Sequence, residues 1–230
     1  LSLRIVLPAF IGRALPRLPT PSVAIVGLSV AMITGAVDAS DEALMLAYAQ
    51  GDAAAFEVLY HRHEKAVWRY VFRSVQVQSA ADDLMQDVWF AVARNAAAYE
   101  PHKGGAKFKT WLFTLAHNRM IDHGRTQKKH LSLDAENEEA QSLHEQLVAD
   151  SGFGPVKQLA SRQQARALID AVEQLPADQR EAFLLQAEGD MSVDEIAAAT
   201  GVSFETAKSR LRYARTKLKT VLAEFAEAAA

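Results

Sequence analysis

Residues 191–219 read MSVDEIAAATGVSFETAKSRLRYARTKLK, and this stretch predicts two consecutive helices that meet at a glycine. Ser192 and Glu195 have the spacing of a capping box, in which each residue satisfies a free backbone N–H of the other at the start of a helix. Gly201 can adopt the left-handed conformation that a tight turn between two helices needs. Ser203 is a good N-cap for the second helix. The stretch therefore predicts a helix-turn-helix.

The second of these helices is strongly basic on its polar faces. An apolar stripe is expected to be buried, consisting of Phe204, Ala207, Leu211, Ala214 and Leu218. The other faces carry six Lys or Arg and one Glu. A recognition helix places its first residues on base edges and uses cations to contact phosphates. We therefore predict DNA contacts from Thr206, Lys208, Ser209, Arg210, Arg212, Tyr213, Arg215 and Lys217. The alternative is a solvated basic helix in a bundle.

A second basic block, residues 100–130, contains seven Lys or Arg and two acids. Phe108, Trp111 and Phe113 are interleaved with the cations. Cations that follow a backbone, together with rings that stack on unpaired bases, are typical of single-strand binding. The alternative for Trp111 and Phe108 is a place in the core. His117 and His123, six residues apart, lie on different faces of the predicted helix, so no metal site is expected.

An acidic and polar face is predicted on the helix that spans about residues 80–94. It is formed by Asp82, Asp83, Gln86 and Asp87, which lie away from the apolar stripe of that helix. An acidic face beside a nucleic-acid site would repel phosphate, so a protein partner is the better interpretation, and ordinary solvation is the alternative.

The remaining pattern is helical throughout and indicates an all-α fold with two small helical domains. Ser40 and Ser79 are expected to cap helices, and no alternating strand pattern occurs. We place the N-terminal helical domain at residues 38–130 and the helix-turn-helix domain at 157–230. Residues 131–156 carry six acids and no Lys or Arg, and this composition predicts a flexible acidic linker.

Residues 1–37 differ in composition from the rest of the chain. They contain three Arg and no acid, and a run of 15 uncharged residues (23–37), too short for a membrane-spanning helix of about 20 residues. We interpret the segment as a disordered tail or an upstream start artefact, with a secretory signal or anchor as the alternative.

The 230-residue chain has no cysteine, which fits a cytoplasmic protein and excludes thiol catalysis and cysteine-bound metals. It also lacks a phosphate-binding Gly-Lys loop, an HExxH motif and a nucleophile elbow. We therefore expect no enzymatic activity, no catalytic residue, no cofactor, no metal and no small-molecule substrate. A stand-alone dimeric helix-turn-helix regulator is an alternative function for such a chain.

Four blocks in order resemble the extracytoplasmic-function (ECF) group of bacterial RNA polymerase sigma factors. They are GDAAAFEVLYHRHEKAVWRYV, AADDLMQDVWFAVARN, FKTWLFTLAHNRMIDHGR and LPADQREAFLLQAEGDMSVDEIAAATGVSFETAKSRLRYARTKL. The resemblance implies a monomer that binds core RNA polymerase and promoter DNA. It also implies a role in a stress or envelope response, controlled by an anti-sigma factor.

The same resemblance assigns roles to residues. The segment with Asp82, Asp83, Gln86 and Asp87 would dock on the clamp helices of the largest polymerase subunit, and the helix-turn-helix would read the minus-thirty-five element. Recognition and melting of the minus-ten element would fall to Lys107, Phe108, Lys109, Trp111, Phe113, His117, Asn118, Arg119, Asp122 and Arg125.

Overall fold

The computed structural model describes residues 39–101, 107–130 and 162–228. This part of the chain contains eight α-helices and no strand, so the all-α prediction is confirmed. The first module consists of α1 (Asp41–Ala49), α2 (Ala53–Val75), α3 (Gln78–Asn95) and α4 (Phe108–His130), with a 3-10 turn at Ala96–Ala98. The second module consists of α5 (Arg162–Glu173), α6 (Ala177–Ala187), α7 (Val193–Thr200) and α8 (Phe204–Ala228).

Side-chain caps fix the starts of the first two helices. The Ser40 hydroxyl accepts a hydrogen bond from the Ala43 N–H at 3.2 Å, as the sequence predicts. The Asp52 carboxylate accepts one from the Ala54 N–H at 3.0 Å. Between them Gly51 turns the chain with a φ of +103°, which is open to glycine but strained for other residues. Each cap is worth about 1 kcal/mol.

The cap predicted at Ser79 is wrong. Helix α3 begins one residue earlier, at Gln78, with Val77 at the N-cap position and no side-chain cap. The Val77 carbonyl accepts the first helical hydrogen bond, from the Ala81 N–H at 3.0 Å. Packing of α3 on its neighbours holds this end, and Ser79 lies inside the first turn.

The core of the first module lies between α2, α3 and α4. Leu59, Val67, Leu84, Val88 and Leu112 have no exposed surface. Burial of a side chain of this size stabilises a fold by about 1.5–3 kcal/mol. Because that exceeds the value of a cap, the apolar stripes hold the helices together and the caps define where they start.

The second module packs α8 across α5, α6 and α7. Four members of the predicted stripe of α8 are buried, namely Ala207, Leu211, Ala214 and Leu218. The fifth was predicted wrongly: Phe204 is 41% exposed. It is the first residue of α8, where the helix has not yet reached its neighbours.

The two modules contact each other through α2 with α6 and α4 with α7. Residues 1–37 and the whole of the predicted linker, residues 131–156, lie outside the described residues, so the disordered tail and the flexible linker stay predictions. Along the described ranges, no helix is both long and apolar enough to cross a membrane.

Candidate nucleic-acid interface

The helix-turn-helix has the predicted turn geometry. Ser192 and Glu195 form the full capping box: the Ser192 N–H donates to Glu195 Oε2 at 2.8 Å, and the Glu195 N–H donates to Ser192 Oγ at 3.3 Å. Gly201 ends α7 with a φ of +67°, in the left-handed region. Ser203 caps α8 by accepting from the Thr206 N–H at 3.2 Å. These local interactions fix how α8 leaves the turn.

The start of α8 presents an exposed cationic face. Lys208, Arg212 and Tyr213 are exposed, Tyr213 by 55%. The Arg212 guanidinium lies 5.0 Å from the centre of the Tyr213 ring, and Lys208 Nζ lies 5.6 Å from that of Phe204. Because a ring face attracts a cation, both charges are held near the helix start. This face is therefore open to solvent at the start of α8.

Three other predicted DNA-contacting cations bind inside the second module. Arg210 forms an ion pair with Asp178, and Arg215 donates a hydrogen bond to Gln186 Oε1. Lys217 Nζ donates to the Gln174 carbonyl at 3.1 Å, and Thr206 and Ser209 are half-buried. These contacts orient α8 on α5 and α6. The assignment of these residues to DNA contacts stays a prediction.

Helix α4 buries part of its predicted DNA-binding set. Phe108 and Phe113 have no exposed surface, and His117 is 6% exposed. Thus the core alternative for Phe108 describes its place in the structure. The half-buried members are Lys109, Trp111 and Arg119, and the exposed members are Lys107, Asn118, Asp122 and Arg125. The predicted residues therefore divide between a covered face and an open face of α4.

An aromatic cluster stands at the N-terminus of α4. The Tyr99 ring lies 5.9 Å from Phe108 and 5.2 Å from Trp111, centre to centre. Burial is the main cause that raises the pKa of Tyr99 to about 12, and the nearby carboxylates of Glu42 and Asp41 contribute to the same shift. The cluster supports the start of α4.

The sequence reasoning missed the residue that caps α4. Glu42, in the first turn of α1, accepts a hydrogen bond from the Phe108 N–H through Oε1 at 2.9 Å. This bond lowers the pKa of Glu42, more strongly than partial burial raises it. Since 66 residues separate the two groups, no local spacing rule could have found this cap.

The acidic face of α3 is exposed, as its pattern indicates. Asp82, Asp83, Gln86 and Asp87 all face solvent. Phe90 extends this face by one turn and is 41% exposed, a large apolar surface that the sequence reasoning did not include. Acids around an exposed ring form a surface suited to a protein partner with cations around an apolar centre.

A buried ionic group joins the two modules and was also missed. Arg69 donates to both carboxylate oxygens of Glu188 at 2.8–3.0 Å, and Arg73 donates to Glu188 Oε1 at 2.8 Å. The side chains of Glu188 and Arg73 are 1% and 0% exposed. Burial lowers the pKa of Arg73, and the charge of Glu188 partly opposes that shift.

Within the described ranges, no cluster of three or more His, Cys, Asp or Glu could hold a metal ion.

Comparison with known proteins gives two family matches, Sigma-70 region 2 over residues 59–130 and Sigma-70, region 4 over residues 165–218. The chain is 32% identical over 177 residues to the RNA polymerase sigma factor CarQ of Myxococcus xanthus, covering 77% of this chain and 94% of that protein. It is 30% identical over 168 residues to the ECF RNA polymerase sigma factor RpoE of Cereibacter sphaeroides, covering 73% of this chain and 86% of that protein.

Two solved structures share the fold. CnrH, in complex with the cytosolic domain of CnrY, matches with a TM-score of 0.52 and 24% identity over 80% of this chain and 97% of that one. The sigma factor RpoE of Bartonella quintana, in complex with the anti-sigma factor NepR, matches with a TM-score of 0.52 and 22% identity. This match covers 73% of this chain and 96% of that one.

Proposed function

This chain belongs to the sigma-70 family, in its ECF group, and we propose that it binds core RNA polymerase through α3 and promoter DNA through α4 and α8. As a sigma factor it directs promoter-specific initiation of transcription. The role is one of binding rather than catalysis, and its place is the cytoplasm, where polymerase and promoters are found.

The exposed start of α8 is the observation that carries the DNA-binding part of this proposal. Lys208, Arg212 and Tyr213 project from the first turns of a helix whose entry is fixed by Ser203 and Gly201. Such a helix places its first residues at the base edges of the major groove. We assign this face to the minus-thirty-five element, and the exposed residues of α4 to the edge of the minus-ten element.

The acidic face of α3 carries the polymerase-binding part. Asp83, Gln86 and Asp87, with Phe90 beside them, form a continuous exposed strip along one side of α3. Its negative charge disfavours DNA and favours a basic protein surface. We assign it to the clamp helices of the largest polymerase subunit.

Two binding modules on one chain reinforce each other. Unstacking a base to open the minus-ten element costs a few kcal/mol, which the polymerase and the contacts of α4 together can offset. Once one module is bound, the other is held near its own element at a high effective concentration. Neither module therefore needs high affinity alone.

We further propose that an anti-sigma factor controls this chain. The solved relatives CnrH and RpoE are each seen in a complex, with the cytosolic domain of CnrY and with the anti-sigma factor NepR, respectively. An antagonist of this kind would cover the exposed faces of α3 and α8 and so exclude both polymerase and DNA.

The test is run-off transcription with the full chain and purified core polymerase on a promoter library, together with pull-down of core polymerase. We expect transcription from a subset of promoters. The charge reversals Asp83→Lys and Asp87→Lys should weaken core binding, while Glu57→Lys, at an exposed acid of α2, should leave it unchanged. If the α3 reversals bind core as the unmodified chain does, the α3 assignment is wrong.

The size of the free protein separates the proposal from its alternative. A sigma factor should elute as a monomer and bind DNA specifically only with core polymerase. A chain that elutes as a dimer, binds a palindromic site by itself and never associates with core polymerase would instead be a stand-alone regulator.

A further inference from the structure

Phe204 is an exposed aromatic residue at the first position of α8. It is 41% exposed, whereas Ala207, three residues later, is fully buried in the stripe that packs on the rest of the second module. A ring left in water forgoes the stabilisation that burial in the core would supply. Packing of the module therefore does not require a phenylalanine at this position.

The place of Phe204 is the end of α8 at which a recognition helix meets base edges. It directly follows Ser203, the residue that caps the helix. Side chains four residues apart lie on the same side of a helix, so Phe204, Lys208 and Arg212 share one side of α8. All three are exposed, and both cations are assigned to DNA above.

The ammonium group of Lys208 is held at this end of the helix by two neighbours. Lys208 Nζ lies 5.6 Å from the centre of the Phe204 ring and 3.6 Å from Glu205 Oε1. A cation over the face of a ring is attracted by its π electrons. Phe204 and Lys208 thus present an apolar surface and a positive charge side by side at the start of α8.

The chemistry of the major groove limits what a phenylalanine can recognise there. Every base pair displays hydrogen-bonding groups, and the C5 methyl of thymine is the apolar group among them. A ring that covers donors and acceptors without pairing them incurs the cost of their desolvation. A phenylalanine at the base edges therefore favours thymine twice, because it gains contact with the methyl group and disfavours the more polar edges.

We propose that Phe204 is a specificity-determining residue of the helix-turn-helix, and that its ring contacts the C5 methyl group of one thymine in the promoter element that α8 reads. This inference rests on the proposed function and adds to it a residue outside the predicted DNA-contacting set. Helical periodicity placed Phe204 in the buried stripe, and its exposure at the helix start assigns it to the groove instead.

Replacement of thymine by deoxyuridine tests the contact directly, because uracil lacks only the methyl group and pairs with adenine in the same way. Each thymine of the minus-thirty-five element of a promoter selected by run-off transcription is replaced in turn. The duplexes then compete for the full chain bound to core polymerase in a gel shift at one salt concentration. At one thymine the replacement should weaken binding by about fourfold, the change that corresponds to burial of one methyl group. A thymine outside the promoter elements, replaced in the same way, should have no effect.

Three protein variants connect this effect to the ring. Phe204→Ala should bind the thymine and uracil duplexes equally, whereas Phe204→Leu keeps an apolar side chain and should retain part of the thymine preference. Leu46→Ala removes a 38% exposed apolar side chain of α1 and should retain all of it. The ratio of the two affinities is taken within each variant, so a loss of stability that affects both duplexes alike does not alter it.

The results that would overturn the inference are specific. If the ring acted only by holding Lys208, the unmodified chain would bind the thymine and uracil duplexes equally, since an ammonium group gains nothing from a methyl group. That result would overturn the inference, as would a uracil effect that persists in Phe204→Ala. Failure of the proposed function differs from both, because the unmodified chain would then neither bind core polymerase nor select a promoter.

Discussion

Removing the carboxylate of Glu42 should weaken the first module although Glu42 belongs to no apolar core. The Glu42 carboxylate accepts a hydrogen bond from the Phe108 N–H at 2.9 Å. Glu42 therefore caps the start of α4 as an N-cap side chain does, although it belongs to a different helix. Loss of a cap costs about 0.5–2 kcal/mol. Loss of a negative charge at a helix N-terminus costs about 0.3–1 kcal/mol where it is partly exposed. Allowing for overlap, Glu42→Ala should lower the free energy of unfolding by about 1–2 kcal/mol.

The pH dependence of this effect has a definite sign. The hydrogen bond from Phe108 lowers the folded-state pKa of Glu42 below its ordinary value of 4.5. The contribution of Glu42 is therefore complete above pH 4.5 and is lost as the pH falls through the lower folded-state value. Glu42→Gln keeps an oxygen acceptor but cannot ionise, so its stability difference from the unmodified chain should shrink in acid.

Urea denaturation followed by circular dichroism, at pH 7 and at several values below 4.5, measures both effects. In a thermal scan, at about 2–4 °C per kcal/mol for a chain of this size, Glu42→Ala should lower Tm by about 2–8 °C. The matched control is Glu57→Ala. Glu57 is an exposed acid of α2 that lies 3.9 Å from the exposed His61, so its loss should change stability by less than about 0.5 kcal/mol. If Glu42→Ala is as stable as Glu57→Ala at neutral pH, the capping argument is refuted.

Two further predictions concern the helix-turn-helix. Lys208→Ala and Arg212→Ala should each weaken binding of the cognate duplex by the holoenzyme by about 1–3 kcal/mol and relax its base preference. Lys219 is an exposed cation farther along α8, away from the base edges, so Lys219→Ala should weaken binding of all sequences alike. Gel-shift competition at several salt concentrations separates these outcomes. Gly201→Ala should destabilise the chain by about 1–2 kcal/mol, because an alanine with the φ of +67° found at Gly201 is strained. Steric contact adds nothing, since no atom lies within 4 Å of the added Cβ. Gly201→Asn should cost less because Asn tolerates this conformation, and equal unfolding midpoints for the two variants would contradict that explanation.

Features determined by neighbours in the sequence were predictable. The capping box at Ser192, the turn at Gly201 and the cap at Ser203 each depend on residues within three positions, and all three are present. The buried stripe of α8 followed from helical periodicity, apart from Phe204 at its open end. The exposure of the acidic face of α3 followed in the same way.

Features determined by distant partners were not predictable from one sequence. Helical periodicity indicates that a face of α4 is apolar, but not that two different neighbours cover it. Leu112 belongs to the core of the first module, whereas Phe113 meets the backbone at Gly189 of the second. For the same reason Glu42 and Glu188 looked like ordinary surface acids in the sequence. Each acquires its role from a partner at least 66 residues away.

The separation of Arg73 from Glu188 also affects the order of events during synthesis. The two residues lie 115 positions apart, so Arg73 is synthesised well before Glu188. At about 5–20 residues per second, translation needs about 6–23 s to cover that distance. During this interval the nascent first module has neither the Glu188 carboxylate that binds Arg69 and Arg73 nor the Gly189 backbone that rests on the ring of Phe113.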